Sequence, residues 1–209
     1  MICVSIIEKN PAKIVEIAND SEMAEIRIDL CGLNASSVSE VFSKINKPTI
    51  ATCRPNLVDD VTRESLLKTA IKSGAKYVDV EIESSFDFKK SLMDFAKSYG
   101  CQTIISYHNY EKTPEDLQSI VDTCFSQGAD IAKVATTANS GQDSARILAL
   151  YAKYSNLVAL AMGEKGQITR VANLCLGSPF SFASIDSEHI SAAGQLAKSQ
   201  MESILNVLK

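Results

Sequence analysis

Lys133 is the residue of this sequence whose side chain is the clearest candidate for a reactive group. It lies in residues 130–136, a short run of otherwise small and mostly apolar residues after a turn at Gly128, with the length of a buried strand. A buried ammonium must be paired or solvated, or must give up its proton, because an isolated buried charge costs many kcal/mol. From this run alone two interpretations stay open: the side chain extends to water at the strand end, or its amine forms a Schiff base with a carbonyl substrate.

His108 ends another predicted strand and is one of two histidines in the chain. If the two strands are neighbours, an imidazole that moves protons near neutral pH can contact the same substrate carbon as the Lys133 amine. An amine is nucleophilic only when neutral, and desolvation and nearby cations favour the neutral form of any amine. Such cations, together with an anionic substrate held by a guanidinium, are predicted from three arginines: Arg27, Arg54 and Arg170.

Charged residues also alternate with apolar ones along two predicted strands. In residues 24–30, Glu25, Arg27 and Asp29 share one face, and in residues 77–82 Asp79 and Glu81 do the same. If helices cover the outside of the sheet, these faces point inward, where unpaired ionisable groups would destabilise the protein. A functional cluster is therefore favoured over a structural ion-pair cluster. The other histidine, His189, is predicted to be structural.

The elements that position these residues alternate regularly along the chain. Gly74, Gly100 and Gly128 are predicted to end helices, and Pro114 is predicted to begin one. The predicted strands cover residues 2–7, 24–30, 48–53, 77–82, 102–107, 130–135, 157–162 and 181–185. The predicted helices cover residues 10–20, 36–46, 61–74, 87–99, 114–127, 141–155, 167–175 and 192–208.

Eight β-α units in 209 residues with no linker predict one domain over residues 1–209. The α/β fold can be a doubly wound open sheet or a closed (β/α)8 TIM barrel. The first strand is followed by neither a G-x-G-x-x-G motif nor a phosphate-binding Walker loop, so the barrel is favoured. In a barrel, catalytic groups belong at the C-terminal ends of the strands, where the polar residues collect.

Composition excludes several classes of protein. The net charge of −4 and dispersed basic residues argue against nucleic acid as a partner. The N-terminal residues do not predict a signal peptide, and no apolar run is long enough to predict a membrane span. The six cysteines lie far apart and without clustered histidines, so we expect buried free thiols in a reducing cytoplasm and neither disulfides nor a metal site.

Several motifs, in this order along nearly the whole chain, resemble the type I 3-dehydroquinate dehydratase family. They are Glu25-x-Arg27-x-Asp29, Thr52-Cys53-Arg54, Asp79-Val80-Glu81, Ser106-Tyr107-His108-Asn109-Tyr110, Lys133-Val134-Ala135, Met162-Gly163, Thr169-Arg170 and Ser191-Ala192-Ala193-Gly194-Gln195. The resemblance implies a (β/α)8 barrel, usually a homodimer, that needs no cofactor. It further implies a lyase of the shikimate pathway that dehydrates 3-dehydroquinate to 3-dehydroshikimate.

The resemblance also implies residue roles. Lys133 matches the Schiff-base lysine, and His108 matches the general acid and base. Residues matching those that hold the substrate are Glu25, Arg27 and Arg54 at the ring hydroxyls, Arg170, Ser191 and Gln195 at the carboxylate, and, more weakly, Ser5. Asp79, Glu81, Asp29 and Met162 match supporting positions.

The sequence departs from the family pattern after Arg54. Many members carry a glutamate four residues after this arginine that helps to orient the histidine, but here that position is Val58, followed by Asp59 and Asp60. Either one of these aspartates has the role of the glutamate, or His108 is oriented without it.

Two other functions remain open. A class I aldolase would also place a Schiff-base lysine on the sixth strand, and residues 163–166 (Gly-Glu-Lys-Gly) would be its candidate phosphate loop. A non-catalytic ligand-binding barrel would bury the same apolar strands but would not need a lysine and a histidine beside one ligand.

Overall fold

The structure is a computed structural model that describes residues 1–55 and 57–208. Strands and helices alternate along the chain, as the apolar periodicity predicted. The strands are β1 (Ile2–Ile6), β2 (Met23–Arg27), β3 (Thr49–Thr52), β4 (Tyr77–Glu81), β5 (Gln102–Asn109), β6 (Ile131–Thr137), β7 (Leu157–Met162) and β8 (Ser181–Ala183). The helices are α1 (Pro11–Asn19), α2 (Ile28–Cys31), α3 (Ala35–Lys44), α4 (Asp60–Lys72), α5 (Phe86–Ser98), α6 (Leu117–Ser126), α7 (Gly141–Ala149), α8 (Gln167–Cys175) and α9 (Lys198–Leu208).

The eight strands form one sheet in the order β7-β6-β5-β4-β3-β2-β1-β8. Sequential strands pair in parallel, with Glu25 opposite Ile50, Thr52 opposite Asp79, and Lys133 opposite Val158. This order is that of a (β/α)8 TIM barrel and differs from that of a doubly wound sheet. The predicted fold class is confirmed.

The contacts of the chain group it into two compact units. One, the N-terminal unit, is Val4–Ile104, and the other, the C-terminal unit, is Ile105–Lys209 with Met1–Cys3. In the N-terminal unit the core is built from β-strand and α4 residues such as Ile26, Ile50, Val78 and Leu67. In the C-terminal unit every residue of β7 is buried, as in strands covered on both faces. The prediction of one domain over residues 1–209 stays a prediction.

Several helices begin at residues that cap their free N–H groups. Asn10 caps α1, Asp59 caps α4 by accepting from the Thr62 N–H at 3.0 Å, and Ser140 forms a capping box with Asp143 on α7. Gly74, Gly100 and Gly128 have φ angles of +109°, +66° and +94°. These positive values confirm that the chain turns there in the left-handed region that glycine favours.

Several predicted details were wrong. β2 ends at Arg27, and Asp29 lies in the short helix α2. Helix α6 begins at Leu117 instead of Pro114, and α9 begins at Lys198, because residues 192–197 belong to a loop and an isolated bridge. Cys175 is exposed, although all six thiols are free and the other five are buried. Within the described part of the chain, no helix has the length and apolarity needed to cross a membrane.

Candidate active site

Lys133 lies within β6 and is only 4% exposed. Every residue of this strand except the last is buried, so the lysine side chain does not extend to bulk water. Its Nζ atom lies 4.2 Å from the centroid of the Phe182 ring. Phe182 is the central residue of β8 and is 5% exposed. The structure therefore excludes the interpretation in which this amine is solvated at a strand end.

His108 lies near the end of β5, the longest of the strands, in the half-buried part of that strand. Its ring stacks on that of Tyr110, with centroids 6.1 Å apart and planes inclined by 16°. The sheet order places β5 beside β6, and both His108 and Lys133 belong to the C-terminal unit. An imidazole and an amine thus lie on neighbouring strands, as expected from the sequence, but the predicted position of Lys133 near a strand end was wrong, because it is the third of the seven residues of β6.

Arg170, on α8, is a buried guanidinium with no carboxylate partner among the described residues. It is 1% exposed, and its contacts are long hydrogen bonds to the Phe182 and Ala193 carbonyl oxygens at 3.4 and 3.3 Å. Its Nε has no hydrogen-bond partner in the described structure. Burial lowers the pKa of Arg170 to about 10, because desolvation disfavours the charged form. An anion would satisfy this group.

Ser191 and Gln195 hold each other within the loop after β8. The Gln195 side-chain oxygen accepts from the Ser191 N–H at 2.8 Å and from the Ser191 hydroxyl at 3.0 Å. The loop is bonded to the end of β7, because the Ala193 carbonyl accepts from the Gly163 N–H at 3.1 Å. Met162, the last residue of β7, is buried beside this contact. Arg170, Ser191, Gln195 and Met162 are thus gathered around one loop of the C-terminal unit.

Glu25, on β2, is held by two hydroxyls of the N-terminal unit. It is 4% exposed and accepts hydrogen bonds from Ser5 on β1 and from Thr52 on β3, the latter at 2.9 Å. Two donors fix the orientation of the carboxylate and compensate part of its desolvation. Ser5, the most weakly matched of the substrate-binding candidates, contacts the carboxylate of another candidate, Glu25.

Arg27, at the end of β2, forms a two-point ion pair with Asp29. Its Nε and Nη2 donate to the two carboxylate oxygens at 3.0 and 2.6 Å. Burial lowers the pKa of Arg27, but the hydrogen bonds that Arg27 donates to Asp29 and the charge of Glu25 outweigh burial, so the pKa is raised. Asp29 is therefore a partner of Arg27 and pairs with it from helix α2, while its supporting role in a site stays a prediction.

Arg54, just after β3, is bound by both acids of β4. Its Nη1 and Nη2 donate to Asp79 at 3.0 and 3.1 Å, and Nη1 also donates to Glu81 at 2.5 Å. Burial lowers the pKa of Arg54, but the charges of Asp79 and Glu81 raise it well above its ordinary range. The predicted supporting acids thus hold this guanidinium in place.

Arg63, on α4, is a member of this cluster that the sequence did not single out. It is 1% exposed and donates to the Cys53 carbonyl at 2.8 Å and to Glu81 at 2.6 Å. Its guanidinium carbon lies 4.5 Å from the centroid of the Phe88 ring. A basic residue in an amphipathic helix usually faces solvent, so only the acidic Glu81 could have indicated that a second buried cation was required.

The two aspartates after Val58 both serve the start of α4. Asp59 caps the helix, and Asp60 pairs with Arg63 at 2.7 Å. Hydrogen bonds from Thr62 lower the pKa of Asp59.

His189 is exposed and contacts Asp186, with Nδ1 2.8 Å from a carboxylate oxygen. Within residues 1–55 and 57–208, no three His, Cys, Asp or Glu side chains group closely enough to hold a metal ion.

The candidate phosphate loop of an aldolase has a local structural role. Residues Glu164–Gly166 form a 3-10 turn. The Lys165 amine donates to the Asn139 carbonyl at 2.7 Å, and the Lys165 carbonyl accepts from Ser144 at 2.7 Å. The lysine of this loop therefore contacts protein backbone.

Comparison with known proteins identifies the family. The family model described as Type I 3-dehydroquinase matches residues 2–209. The chain is 36% identical to 3-dehydroquinate dehydratase of Methanococcus maripaludis, with both sequences covered completely.

Solved structures agree with this match. A type I 3-dehydroquinate dehydratase from Clostridium difficile, solved with covalently modified comenic acid, superimposes with a TM-score of 0.87 at 26% identity, covering 99% of this chain and 91% of that one. The 3-dehydroquinate dehydratase from Aquifex aeolicus has a TM-score of 0.85 at 26% identity, with 99% and 98% covered.

Proposed function

The chain belongs to the type I 3-dehydroquinase family, and from this membership we propose that it dehydrates 3-dehydroquinate to 3-dehydroshikimate through a Schiff base on Lys133. The observation that carries the proposal is the buried Lys133 amine on β6, with His108 on the neighbouring strand of the same unit. A lysine excluded from water and next to a proton-transfer group suits imine chemistry.

The environment of Arg170 supports the choice of an acidic substrate. This guanidinium is buried without a carboxylate partner in the described part of the chain. A substrate carboxylate would supply the missing counter-charge and accept charge-assisted hydrogen bonds. We therefore assign the carboxylate of 3-dehydroquinate to Arg170, with Ser191 and Gln195 of the adjoining loop as its neighbours.

The remaining polar groups suit the substrate hydroxyls. Glu25 is oriented by Ser5 and Thr52, Arg27 by Asp29, and Arg54 by Asp79 and Glu81. Side chains fixed in this way can hold ring hydroxyls in one orientation. We assign the hydroxyls to Glu25, Arg27 and Arg54, while Asp29, Asp79, Glu81 and Met162 support the site.

The proposed reaction starts when the neutral Lys133 amine attacks the C3 ketone to form a carbinolamine. His108 donates a proton to the carbinolamine hydroxyl, which leaves as water and yields an iminium. The iminium withdraws electrons from the adjacent C2–H bond, so His108 can now remove that proton and form an enamine. His108 then protonates the C1 hydroxyl, which leaves as water while the iminium re-forms in conjugation with the new double bond. We propose syn elimination, since one imidazole serves both steps.

The last step is hydrolysis. Water adds to the conjugated iminium and gives a proton to His108, the product ketone re-forms, and the Lys133 amine is released. All these steps use protein side chains and water, in line with an enzyme that needs no cofactor. Homodimer formation and a cytoplasmic location are also part of the proposal.

Borohydride trapping tests the assignment. Reduction in the presence of 3-dehydroquinate should add one substrate-derived mass to the peptide containing Lys133. Lys133→Ala should abolish both turnover and labelling while leaving substrate binding largely intact. Full turnover in this variant, or labelling of another lysine, would overturn the assignment.

Lys165→Ala is the matched control, since it removes a lysine of the same unit that donates to a backbone carbonyl. This variant should keep full turnover of 3-dehydroquinate. An aldolase would instead lose turnover of a phosphorylated sugar when Lys165 is removed, so the control also separates these two activities.

A further inference from the structure

The Phe182 ring lies beside the nitrogen that the proposed reaction would modify. Lys133 Nζ is 4.2 Å from the ring centroid, well within the distance of about 6 Å at which a ring face attracts a cation. The two side chains are 4% and 5% exposed, so little water weakens this attraction.

The orientation of the ring is fixed by its surroundings. Phe182 is the middle residue of β8, and the fully buried Phe180 packs edge-on against it, with centroids 5.6 Å apart and planes at 84°. The Phe182 carbonyl also accepts a hydrogen bond from Arg170 at 3.4 Å. The Phe182 ring is thus held in place by buried neighbours, and so is its contact with Lys133.

We propose that Phe182 is a further catalytic residue, whose ring face stabilises the positive charge on the Lys133 nitrogen in the iminium intermediates. The inference rests on the proposed function, because only the Schiff-base route places a permanent positive charge on this nitrogen. It adds an electrostatic role for a phenylalanine that carries no charge or hydrogen-bonding group.

The charge on the nitrogen changes at each step of that route. The carbinolamine and the enamine have a neutral nitrogen, whereas the two iminium ions are cationic there. The face of an aromatic ring carries negative potential, so it lowers the energy of the cations relative to the neutral species. Loss of water from the carbinolamine and loss of the C1 hydroxyl from the enamine both create the cation. The ring therefore favours the two steps in which a C–O bond breaks.

A purely steric role predicts a different outcome. If the ring only packs against the lysine side chain, its shape will matter and its electron density will not. Fluorine atoms on the ring withdraw electron density from the face with little change in volume, which separates the two roles. Substituting Phe182 by phenylalanine analogues with one, two or three fluorine atoms therefore tests the proposal.

We expect kcat and the amount of adduct trapped by borohydride to fall stepwise with the number of fluorine atoms. Over the series the loss should be about threefold to thirtyfold, the range of a partly to fully desolvated cation–π contact. Phe182→Leu, which removes the ring, should lose at least as much. Thermal denaturation of each variant identifies any loss caused by unfolding. A flat series at position 182 would overturn the proposal.

The same analogues at Phe180 provide the matched control, because this ring is also buried and packs against Phe182 in a T-shaped arrangement. We expect kcat and the amount of trapped adduct at Phe180 not to fall stepwise with the number of fluorine atoms. An equal fall per fluorine atom at both positions would also overturn the proposal. The unmodified protein separates the two levels of inference. If it forms no adduct, the Schiff-base function fails; if it forms one and the Phe182 series is flat, only the role of the ring fails.

Discussion

A β-carbon on Gly194 would lie 2.3 Å from the carbonyl oxygen of Gly163. The two backbones approach this closely because position 194 has no side chain, and Gly194 also has a φ of +69°. Between the same segments, Gly163 donates its N–H to Ala193. The loop that contains Ser191 and Gln195 therefore packs on the end of β7 through a contact that only glycine permits.

Gly194→Ala should separate this loop from the end of β7. We expect kcat/KM for 3-dehydroquinate to fall on the order of tenfold to a hundredfold, because misplaced binding groups lose orientation of the substrate. Limited proteolysis should cut the loop faster than in the unmodified protein. The control is Gly100→Ala, which has a similar φ of +66° but no atom within 4 Å of the added carbon. It should cost about 1 kcal/mol of stability and leave kcat/KM unchanged.

Arg170→Met should make the substrate-free protein more stable. It removes a buried cation that has no carboxylate partner among the described residues, so the free energy of unfolding should rise by about 1 kcal/mol. The same variant should bind 3-dehydroquinate about tenfold to a hundredfold more weakly. Urea denaturation and titration calorimetry measure the two effects. Arg146→Met is the control, because Arg146 pairs with Asp143 at 2.6 Å, and its loss should not stabilise the protein. A less stable Arg170→Met protein would contradict the explanation.

The fold followed from the sequence because its signals are local. Alternating apolar runs and glycines such as Gly74 and Gly100 locate strands and turns without knowledge of distant contacts. Element ends were less predictable. Asp29 continued an alternating pattern and was placed in β2, but the chain turns into α2 after Arg27, where the Asp29 carboxylate can pair with it. Alternation in sequence alone does not distinguish these two geometries.

The site was predictable where the residue type itself carries the chemistry. Lys133, His108 and Arg27 stand out because buried strands seldom contain ionisable groups. Phe182 and Arg63 did not stand out, since a phenylalanine in a strand and an arginine in a helix are ordinary. Their importance depends on which atoms they meet, the Lys133 amine and the Glu81 carboxylate, and only tertiary structure supplies that information.

Arg63→Met should destabilise the protein and weaken substrate binding. It leaves one oxygen of the buried Glu81 without its cation, which costs about 3 kcal/mol, and frees Glu81 to shift its contact with Arg54. We expect a higher KM with a smaller change in kcat. Lys68→Met, on the same helix, breaks the half-exposed pair with Glu64 and should cost less than about 1 kcal/mol. If urea denaturation gives the same loss in free energy of unfolding for both variants, the buried Arg63–Glu81 pair does not have the stabilising role described.

Cys31 and Cys53 should contribute to alkaline unfolding. Burial first, and then the charge of Asp29, raises the pKa of each thiol from 9.0 to about 12. Between these values the unfolded thiols lose protons while the folded ones keep them, so the native state binds more protons and stability falls as pH rises. Replacing both by alanine should make the fall shallower, by up to about 1.4 kcal/mol per pH unit for each thiol.

Denaturation midpoints measured from pH 8 to 10.5 test this prediction. Cys175→Ala is the control, since this thiol is already exposed in the folded protein and should leave the slope unchanged. An unchanged slope in the Cys31 and Cys53 variant would show that other groups cause the alkaline loss.

The unbalanced charge of Arg170 has a consequence for inhibitor discovery. Any small organic acid that reaches this guanidinium gains from neutralising it, whether or not the rest of the compound fits. Screens that score compounds by how much they raise the melting temperature of the protein will therefore favour acids over neutral molecules of equal size. Neutral inhibitors of this protein are better sought by competition with the substrate.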